Sequence, residues 1–269
     1  MLLRTRLYRA LNRLFGEPTA VSGPHSYART REIFAAETTP LLRGIEPYLE
    51  GARSVLIVGC GDGVEIAWFA DRVARVTAVD VSGVAVERSR LATASRSNVR
   101  CELTDGLRLP FADGGFDLIF MHNVCEHIIA LDACFAEYRR VLRPGGVLVN
   151  DFSPLFYSPF GAHLQDALKF PWGHLLFGLR AVVQLRNEHY PGVNTSASWA
   201  EFGLNRLTER NYRRMVSRCG FETEVHRIRV SGNLPLVRHV PLLRNLFILG
   251  IYSVLRKPQP GPPAAEPTG

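Results

Sequence analysis

The chain has 269 residues, 46% of them hydrophobic and 21% charged, with a formal net charge of +7 at pH 7. This balance is typical of a soluble globular protein, and the length suffices for one large α/β domain. The five cysteines include no C-x-x-C pair, which disfavours a disulfide scaffold or a zinc motif and predicts reduced thiols. Lysine occurs only at Lys169 and Lys257, so arginine carries the basic charge, without a long basic run or a ribonucleoprotein motif.

The first 15 residues, MLLRTRLYRALNRLF, have the periodicity of an amphipathic helix. Its apolar and basic faces consist respectively of Leu3, Leu7, Leu11, Leu14 and Phe15 and of Arg6, Arg9 and Arg13. Both an interfacial membrane helix and a helix packed on the domain have this pattern. We favour packing on the domain, because the apolar face of an amphipathic helix usually faces a protein core. A signal peptide is disfavoured, since the segment lacks a long apolar region and a small-residue cleavage site.

Strands and helices alternate along the next part of the chain. Short apolar runs predict five strands, at residues 54–58, 76–79, 98–103, 116–121 and 147–152. Three helices are predicted between them, over 63–72, from an N-cap at Ser82 to about Ser95, and over 131–142 with Pro144-Gly145-Gly146 as its stop. This alternation indicates βαβ units and a parallel sheet.

The alternation stops after the fifth strand. Residues 153–206 are rich in aromatic residues, proline and histidine, and a helix capped by Thr208 and two further strands, 221–230 and 247–257, follow. The prediction is an α/β fold, a Rossmann-like doubly wound seven-stranded sheet with a helical and aromatic insertion after strand 5. The chain divides into an N-terminal helical segment, a ligand-binding core, the insertion, the C-terminal part of the sheet and a disordered Pro-rich tail, at 1–50, 51–152, 153–206, 207–257 and 258–269.

A glycine-rich loop follows the first strand in the stretch VLIVGCGDGVEIAWFA, residues 55–70. Glycines spaced G-x-G-x-G before a helix let a ligand approach the backbone closely and offer it free N–H groups. Asp80 ends the second strand beside this loop, where its carboxylate can accept hydrogen bonds from both hydroxyls of a ribose. Asp105 follows the third strand, where it can accept from an adenine amino group. These residues predict a site for an adenosine-containing ligand.

With the segments LPFADGGFDLIFMHNVCEHI (109–128) and YRRVLRPGGVLVNDF (138–152), the loop and the two aspartates resemble the class I S-adenosylmethionine-dependent methyltransferases of the type 11 group. The resemblance covers residues 50–152 and, more loosely, 207–257. It implies S-adenosyl-L-methionine as cofactor and disfavours NAD, whose enzymes use G-x-G-x-x-G. One departure is Ile57, where members of the family often have an acidic residue in the first strand, and Glu65 or a backbone group is a substitute for it.

The resemblance also implies roles for individual residues. The cofactor-binding residues are Gly59, Gly61 and Gly63 around the methionine portion, Asp80 on the ribose, Val81, Asp105 and Gly106 around the adenine, and His122 and Asn123 on the sulfonium side. Glu126 and His127 are the candidate catalytic residues, as a general base for an oxygen acceptor. The alternative is that His127 packs on the cofactor and Glu126 caps a turn. Some relatives bind a divalent metal through a Glu-x-x-Glu-His pattern, but Asn123 replaces the first glutamate, so no metal is predicted.

The insertion occupies the place of substrate-recognition elements in this superfamily. Its aromatic and histidine side chains, suited to a lid over an apolar acceptor or to a small cap with its own core, are His163, Trp172, His174, His189, Tyr190 and Trp199. The predicted function is methyl transfer to oxygen or carbon of a small molecule, such as a lipid, quinone, sugar or secondary metabolite. The alternatives are a nucleic-acid or protein methyltransferase and an inactive cofactor-binding subunit. The predicted location is cytoplasmic, with peripheral membrane contact left open.

Overall fold

Seven strands form one sheet in the computed structural model, which describes residues 2–16, 40–190, 192–231 and 241–260. The strands are β1 Ser54–Val58, β2 Arg75–Asp80, β3 Val99–Leu103, β4 Phe116–His122, β5 Leu142–Phe152, β6 Glu222–Val230 and β7 Ile248–Arg256. Their order is β3-β2-β1-β4-β5-β7-β6, and only β7 runs antiparallel to its neighbours. The doubly wound seven-stranded sheet predicted from the sequence is confirmed. The part of the predicted Pro-rich tail from residue 261 onward lies outside the described residues.

Helices cover both faces of the sheet. They are α1 Leu2–Leu14, α2 over 40–45, α3 Ile66–Ala70, α4 Gly83–Ala92, α5 Leu131–Val141, α6 Gly173–Phe177, α7 Leu179–His189, α8 Glu209–Arg218 and α9 Pro241–Phe247. One core cluster joins alternate strand residues to α5 and α8, and a second joins the opposite set to α2, α3 and α4. This three-layer arrangement explains why the central strands read as continuous apolar runs, since both their faces are buried.

Local capping signals in the sequence predict the starts of two helices. Ser82 and Thr208 cap α4 and α8 as predicted, each accepting a hydrogen bond from the backbone N–H three residues later. α5 ends at Val141, one residue before its predicted end, whereas β5 begins at Leu142, five residues before its predicted start at residue 147. Leu142 already pairs with Phe116 of β4, and the residues after it form an irregularity in β5 before regular pairing resumes at Val147. The start of β5 therefore ends the helix.

The first helix is present, but the prediction of its buried face is wrong. The buried side chains of α1 are Thr5, Tyr8 and Asn12, at 2%, 1% and 3% exposure. The predicted core residues Leu3 and Leu14 are instead 79% and 80% exposed. The reason is the surface of the insertion that α1 contacts. This surface offers hydrogen-bonding backbone groups and an aromatic slot rather than an apolar groove.

The insertion forms a third, separate core together with α1. Tyr8 stacks on Phe177 with ring centroids 4.7 Å apart, and α6 begins at Gly173, where a side chain would collide with the Tyr8 ring. The other buried members of this cluster are Ala162, Ala167, Leu168, Ala181, Val182 and Leu185. Of the two expectations for residues 153–206, a cap with its own core is therefore what the structure contains.

Candidate active site

A cavity of about 540 Å³ opens at the carboxyl ends of the central parallel strands. Its walls come from the loops after β1, β2, β3 and β4, and from the first half of α5. Of the residues predicted to bind the cofactor or to act in catalysis, those that line it are Gly59, Gly61, Asp80, Val81, Asp105, Gly106, Asn123 and His127. Gly63, His122 and Glu126 are not part of this lining, and their roles toward a ligand stay predictions.

Asp80 is held in place by the backbone of two loops. Its Oδ2 accepts a hydrogen bond from the Gly61 N–H at 2.9 Å, and its Oδ1 accepts one from the Ser82 N–H at 2.9 Å. Backbone donors fix the carboxylate without neutralising it, and each oxygen keeps a lone pair that can accept a further hydrogen bond. The carboxylate is thus positioned to receive a pair of hydroxyl groups from the cavity.

The three glycines of the loop have positive φ angles of 70°, 51° and 75°, but their surroundings differ. A side chain at Gly59 would collide with Val124, and one at Gly63 would meet Ser89 Oγ at 3.0 Å. At Gly61 nothing lies within 4 Å of the place of a Cβ atom, so that glycine borders open space in the cavity. The sequence pattern assigned one ligand-binding role to all three, whereas only Gly61 leaves its free space to a ligand.

Apolar side chains surround the two aspartates at the mouth of the cavity. Val81, Leu107 and Ile129 are 73%, 48% and 53% exposed, which is unusual for large apolar side chains and leaves surface for a planar ring. Asp105 accepts a hydrogen bond from the Leu107 N–H at 3.0 Å, which fixes the turn after β3. Val81 was predicted from the sequence, whereas Leu107 and Ile129 were not, because they lie in loops four and seven residues after the ends of β3 and β4.

A polar pair lies behind the glycine loop, next to the cavity. Glu65 is 7% exposed, and its Oε1 lies 3.0 Å from His122 Nδ1. Ile57, where members of the resembled family often have an acidic residue, is buried in the sheet, and the substitution of Glu65 for that group stays a prediction. Asn123 has a positive φ of 52° and accepts from the Ser153 N–H at 3.1 Å, which anchors it between β4 and β5.

Glu126 is buried and unsatisfied. It is 3% exposed, and neither carboxyl oxygen has a hydrogen-bond partner among the described residues. Burial raises the pKa of the Glu126 carboxyl to about 8. The neutral acid therefore predominates near pH 7.

His127 lines the cavity and is oriented by the insertion. Its Nδ1 lies 2.7 Å from the carbonyl oxygen of Gly203. Because a carbonyl can only accept, the neutral imidazole carries its proton on Nδ1 and leaves Nε2 free to take one. His163 packs edge-on against this ring with centroids 4.9 Å apart, and burial lowers the pKa of His163 to about 4.

These three residues form a group that could also hold a cation. Glu126, His127 and His163 each offer one ligand atom, and the atoms lie within 4.8 Å of one another. Sequence reasoning counted His163 only as part of a lid, because 36 residues separate it from His127. The spacing of residues along the sequence does not predict that such distant side chains meet. Whether the site works without a metal therefore stays a prediction, which metal removal tests.

The other aromatic and histidine side chains named in the insertion do not line the cavity, and two of them form structural hydrogen bonds. Trp172 donates its indole N–H to the Leu246 carbonyl at 3.0 Å, and His174 Nε2 lies 2.6 Å from the Phe156 carbonyl. Neither residue lines the cavity. The insertion reaches the site through Gly203 and through Asn205, whose side chain bonds the carbonyls on both sides of the Glu126–His127 turn.

Comparison with known proteins finds relatives of the part of the chain that carries this cavity. Residues 56–150 match the family model described as "Methyltransferase domain". An uncharacterized methyltransferase of Mycobacterium sp. (strain JLS) is 34% identical over 155 residues, which are 58% of this chain and 54% of the relative. The chain therefore spans about half the length of this curated relative.

Solved structures share the fold at low sequence identity. An S-adenosylmethionine-dependent methyltransferase from Mesorhizobium loti aligns with a TM-score of 0.55 at 18% identity, over 81% of this chain and 97% of the other. Geranyl diphosphate C-methyltransferase from Streptomyces coelicolor aligns with a TM-score of 0.52 at 17% identity, over 76% and 71%. Residues 56–150 therefore resemble the methyltransferase-domain family, and the sheet has the same fold as these solved S-adenosylmethionine-dependent methyltransferases.

Proposed function

We propose that the protein is an S-adenosylmethionine-dependent methyltransferase that acts on a small-molecule acceptor. The observation that carries the proposal is the cavity of about 540 Å³, with Asp80 and Asp105 at its rim and Gly61 open toward it. This volume lies within the usual range for small-molecule sites. These side chains fit an adenosyl group, because the two carboxylates can accept hydrogen bonds from its hydroxyl and amino groups and the flanking apolar side chains can contact its ring.

The cofactor would be held mainly by the loops after β1, β2 and β3. Asp80 would accept the ribose hydroxyls, Asp105 and the Gly106 backbone would take the adenine edge, and Val81 and Leu107 would contact the ring. Gly61 and Asn123 line the side on which the methionine portion belongs. When bound, S-adenosylmethionine supplies an electrophilic methyl group on a sulfonium.

His127 is the proposed general base for an oxygen acceptor. Its free Nε2 can accept the acceptor's proton, while the Gly203 carbonyl holds the other ring nitrogen and disperses the charge that develops on the ring. Glu126 is a poor base near neutral pH because burial keeps it protonated. We propose instead that Glu126 stays neutral next to His127 and does not take the acceptor's proton.

The small-molecule class of acceptor is argued from the position of the insertion. Asn205 and Gly203 tie the insertion directly to the Glu126–His127 turn, so the insertion borders the proposed acceptor space beside His127. Among proteins of this fold, one acts on geranyl diphosphate, which is a small molecule. This likeness adds plausibility to the class and does not identify the acceptor.

Isothermal titration with S-adenosylmethionine, S-adenosylhomocysteine and NAD tests the proposal. We expect both adenosyl ligands to bind and NAD not to bind. Asp80→Ala should weaken binding by about 1.5–3 kcal/mol, the scale of hydrogen bonds to a charged group. Asp113→Asn is the matched control, because this exposed aspartate pairs only with Arg140 on the surface. Binding of NAD alone, or equal affinities in wild type and Asp80→Ala, would contradict the proposal.

A second candidate, methylation of a polyanion, has one observation in its favour. A cavity of about 1100 Å³ on α8 is lined by Arg210, Arg213, Arg214, Arg218 and Arg244. A smaller cavity lies between this arginine-lined cavity and the proposed cofactor site. It shares Ile129 with the cofactor site and Arg214 and Arg218 with the arginine-lined cavity. If this candidate holds, Arg210→Gln/Arg214→Gln should raise the acceptor KM and leave cofactor affinity unchanged. If neither the two substitutions nor added salt changes the acceptor KM, the polyanion candidate is excluded and the small-molecule proposal stands.

A further inference from the structure

The outward face of α1 is an apolar surface that the described part of the protein does not cover. Leu3, Leu7 and Leu14 are 79%, 52% and 80% exposed. Isolated exposed leucines are common, but three on one face of a 13-residue helix form a patch. An amphipathic helix whose apolar face is exposed in this way is expected to bind a partner through that face.

The orientation of α1 is fixed by its opposite face. Asn12 donates to the Ala167 carbonyl and accepts from the backbone N–H groups of Lys169 and Phe170. Arg9 forms a two-point ion pair with Glu188 of α7. At 3.6 residues per turn, the leucine positions lie roughly 160° around the helix from Thr5, Tyr8 and Asn12. The docking of α1 therefore turns the leucines directly away from the domain.

Arginines border this apolar face on both sides. Arg6 and Arg13 lie along one edge and Arg4 along the other, and all three are exposed. None of them forms an ion pair with a described residue, and α1 contains no acidic residue. An apolar face flanked by unpaired arginines matches a bilayer surface, where the apolar side chains enter the acyl boundary and the guanidinium groups reach the phosphates.

We propose that α1 docks the protein on an anionic lipid bilayer, as an interfacial helix lying in the plane of the membrane. The helix has 13 residues, and no helix in the described part of the chain is long and apolar enough to cross a bilayer. Anionic lipid is the committed partner because the charge around the face is entirely positive. This proposal is independent of the proposed methyl transfer, since it uses none of the residues of the cavity.

Vesicle cosedimentation of the full-length protein tests the proposal. The vesicles contain either phosphatidylcholine alone or equal parts of phosphatidylcholine and phosphatidylglycerol. Wild type is expected to sediment with the anionic vesicles and to be released by salt. Leu3→Gln/Leu7→Gln/Leu14→Gln should lower the partition coefficient at least ~10-fold, because it removes the buried apolar area. Arg6→Gln/Arg13→Gln should lower it by roughly fivefold per arginine, on anionic vesicles only.

The matched control changes three exposed apolar residues elsewhere. Val84→Gln/Leu91→Gln/Val193→Gln removes side chains that are 62%, 71% and 83% exposed, and its partition should equal that of wild type. Both triple variants should keep the wild-type melting temperature, since all six side chains face solvent. A fall in melting temperature confined to the α1 variant would mean that the chain itself covers this face, which overturns the proposal.

Two further results would also overturn it. Absence of wild-type binding to the anionic vesicles is one. The other is a wild-type dimer in sedimentation velocity that the α1 variant dissociates, together with vesicle binding that the α1 variant retains. That combination would assign the leucine face to a second copy of the chain. Equal sedimentation of wild type with both kinds of vesicle would remove the arginines from the mechanism and contradict the anionic specificity.

Discussion

The glycine-loop region and the α1–insertion region follow different rules. In the first, β1 and β2 are paired on both sides and β3 is paired with β2, so the loops after these strands have little freedom in where they place Asp80 and Asp105. In the second, two faces of the single helix α1 could contact the insertion, and the face with Tyr8 and Asn12 makes the contact. The comparison teaches that spacing predicts a site on a sheet edge, whereas a packing partner decides which face of a surface helix is buried.

The sharpest difference between the regions concerns His127, where they meet. His127→Ala should lower kcat by ~10²–10⁴ if its Nε2 acts as the general base, with cofactor affinity nearly constant. Conversion of S-adenosylmethionine to S-adenosylhomocysteine, with an acceptor found by screening, measures it. Trp172→Ala is the comparison variant, because Trp172 belongs to the insertion but does not line the cavity. A turnover that survives His127→Ala would reduce this histidine to a packing residue.

The buried carboxyl of Glu126 predicts a pH-dependent stability. Its pKa is raised to about 8, so the folded state holds this proton more tightly than the unfolded state, and the contribution to stability is lost as the pH rises toward 8. Glu126→Gln cannot ionise and should gain stability relative to wild type between pH 5 and pH 8, by up to a few kcal/mol. Melting temperatures across this range measure it, with Glu50→Gln as the exposed control. A difference that stays flat with pH would show that Glu126 is not a buried acid.

The glycine loop separates a packing role from a binding role. Gly59→Ala should destabilise the fold by ~1–3 kcal/mol, because its methyl group would collide with Val124. Val124→Ala should restore part of that loss in the double mutant, which is a coupling that two independent sites would lack. Gly61→Ala should also cost some stability, because Gly61 has a φ of 51°, but unlike Gly59→Ala it should in addition weaken cofactor binding, since its methyl group enters the cavity. Denaturant unfolding and cofactor titration of all four variants distinguish the roles, and an unchanged affinity for Gly61→Ala would refute the assignment.

The anchoring of α1 gives a similar contrast within one helix. Asn12→Ala leaves one carbonyl and two N–H groups of the insertion without their partner and should cost about 1–3 kcal/mol. Leu14→Ala should stay within about 0.5 kcal/mol of wild type, because the side chain is 80% exposed. Chemical denaturation measures both. If the leucine change proved the more damaging, the sequence-based prediction of a core-facing apolar face would be right after all.

The smallest effect is expected on removing divalent metal. Dialysis against EDTA should leave cofactor affinity and turnover unchanged, in keeping with the prediction that the site needs no cation. Mg²⁺, Mn²⁺ and Zn²⁺ are then added back separately. Loss of turnover that one cation restores would make Glu126, His127 and His163 a metal site and His127 a ligand rather than a base.

The predictions from the sequence succeeded where one interaction dominates. Alternating apolar runs gave all seven strands, and the N-caps Ser82 and Thr208 gave two helix starts, because each rests on a local hydrogen bond or on burial. The start of β5 was predicted five residues too late, because the pairing of Leu142 with Phe116 of β4 begins this strand before the proline–glycine segment. The buried face of α1 was wrong because partners in the insertion select Asn12 and Tyr8 over the leucines.

The candidate site divides in the same way. Asp80 and Asp105 could be found because strand ends of a parallel sheet share one edge. His163 and Gly203 could not, since they approach His127 from an insertion whose path follows from its own small core rather than from any repeat in the sequence. The Gly59–Val124 contact was likewise invisible, because a glycine motif does not reveal which neighbour requires the missing side chain.

The central claim is that the cavity at the sheet edge binds the adenosyl cofactor with the acceptor space beside His127. A crystal structure with S-adenosylhomocysteine bound tests it most directly. We predict the ribose on Asp80, the adenine between Asp105 and Val81, and the sulfur facing the space between His127 and Asn123. Electron density for the ligand in another cavity, or with its sulfur turned away from His127, would contradict the account.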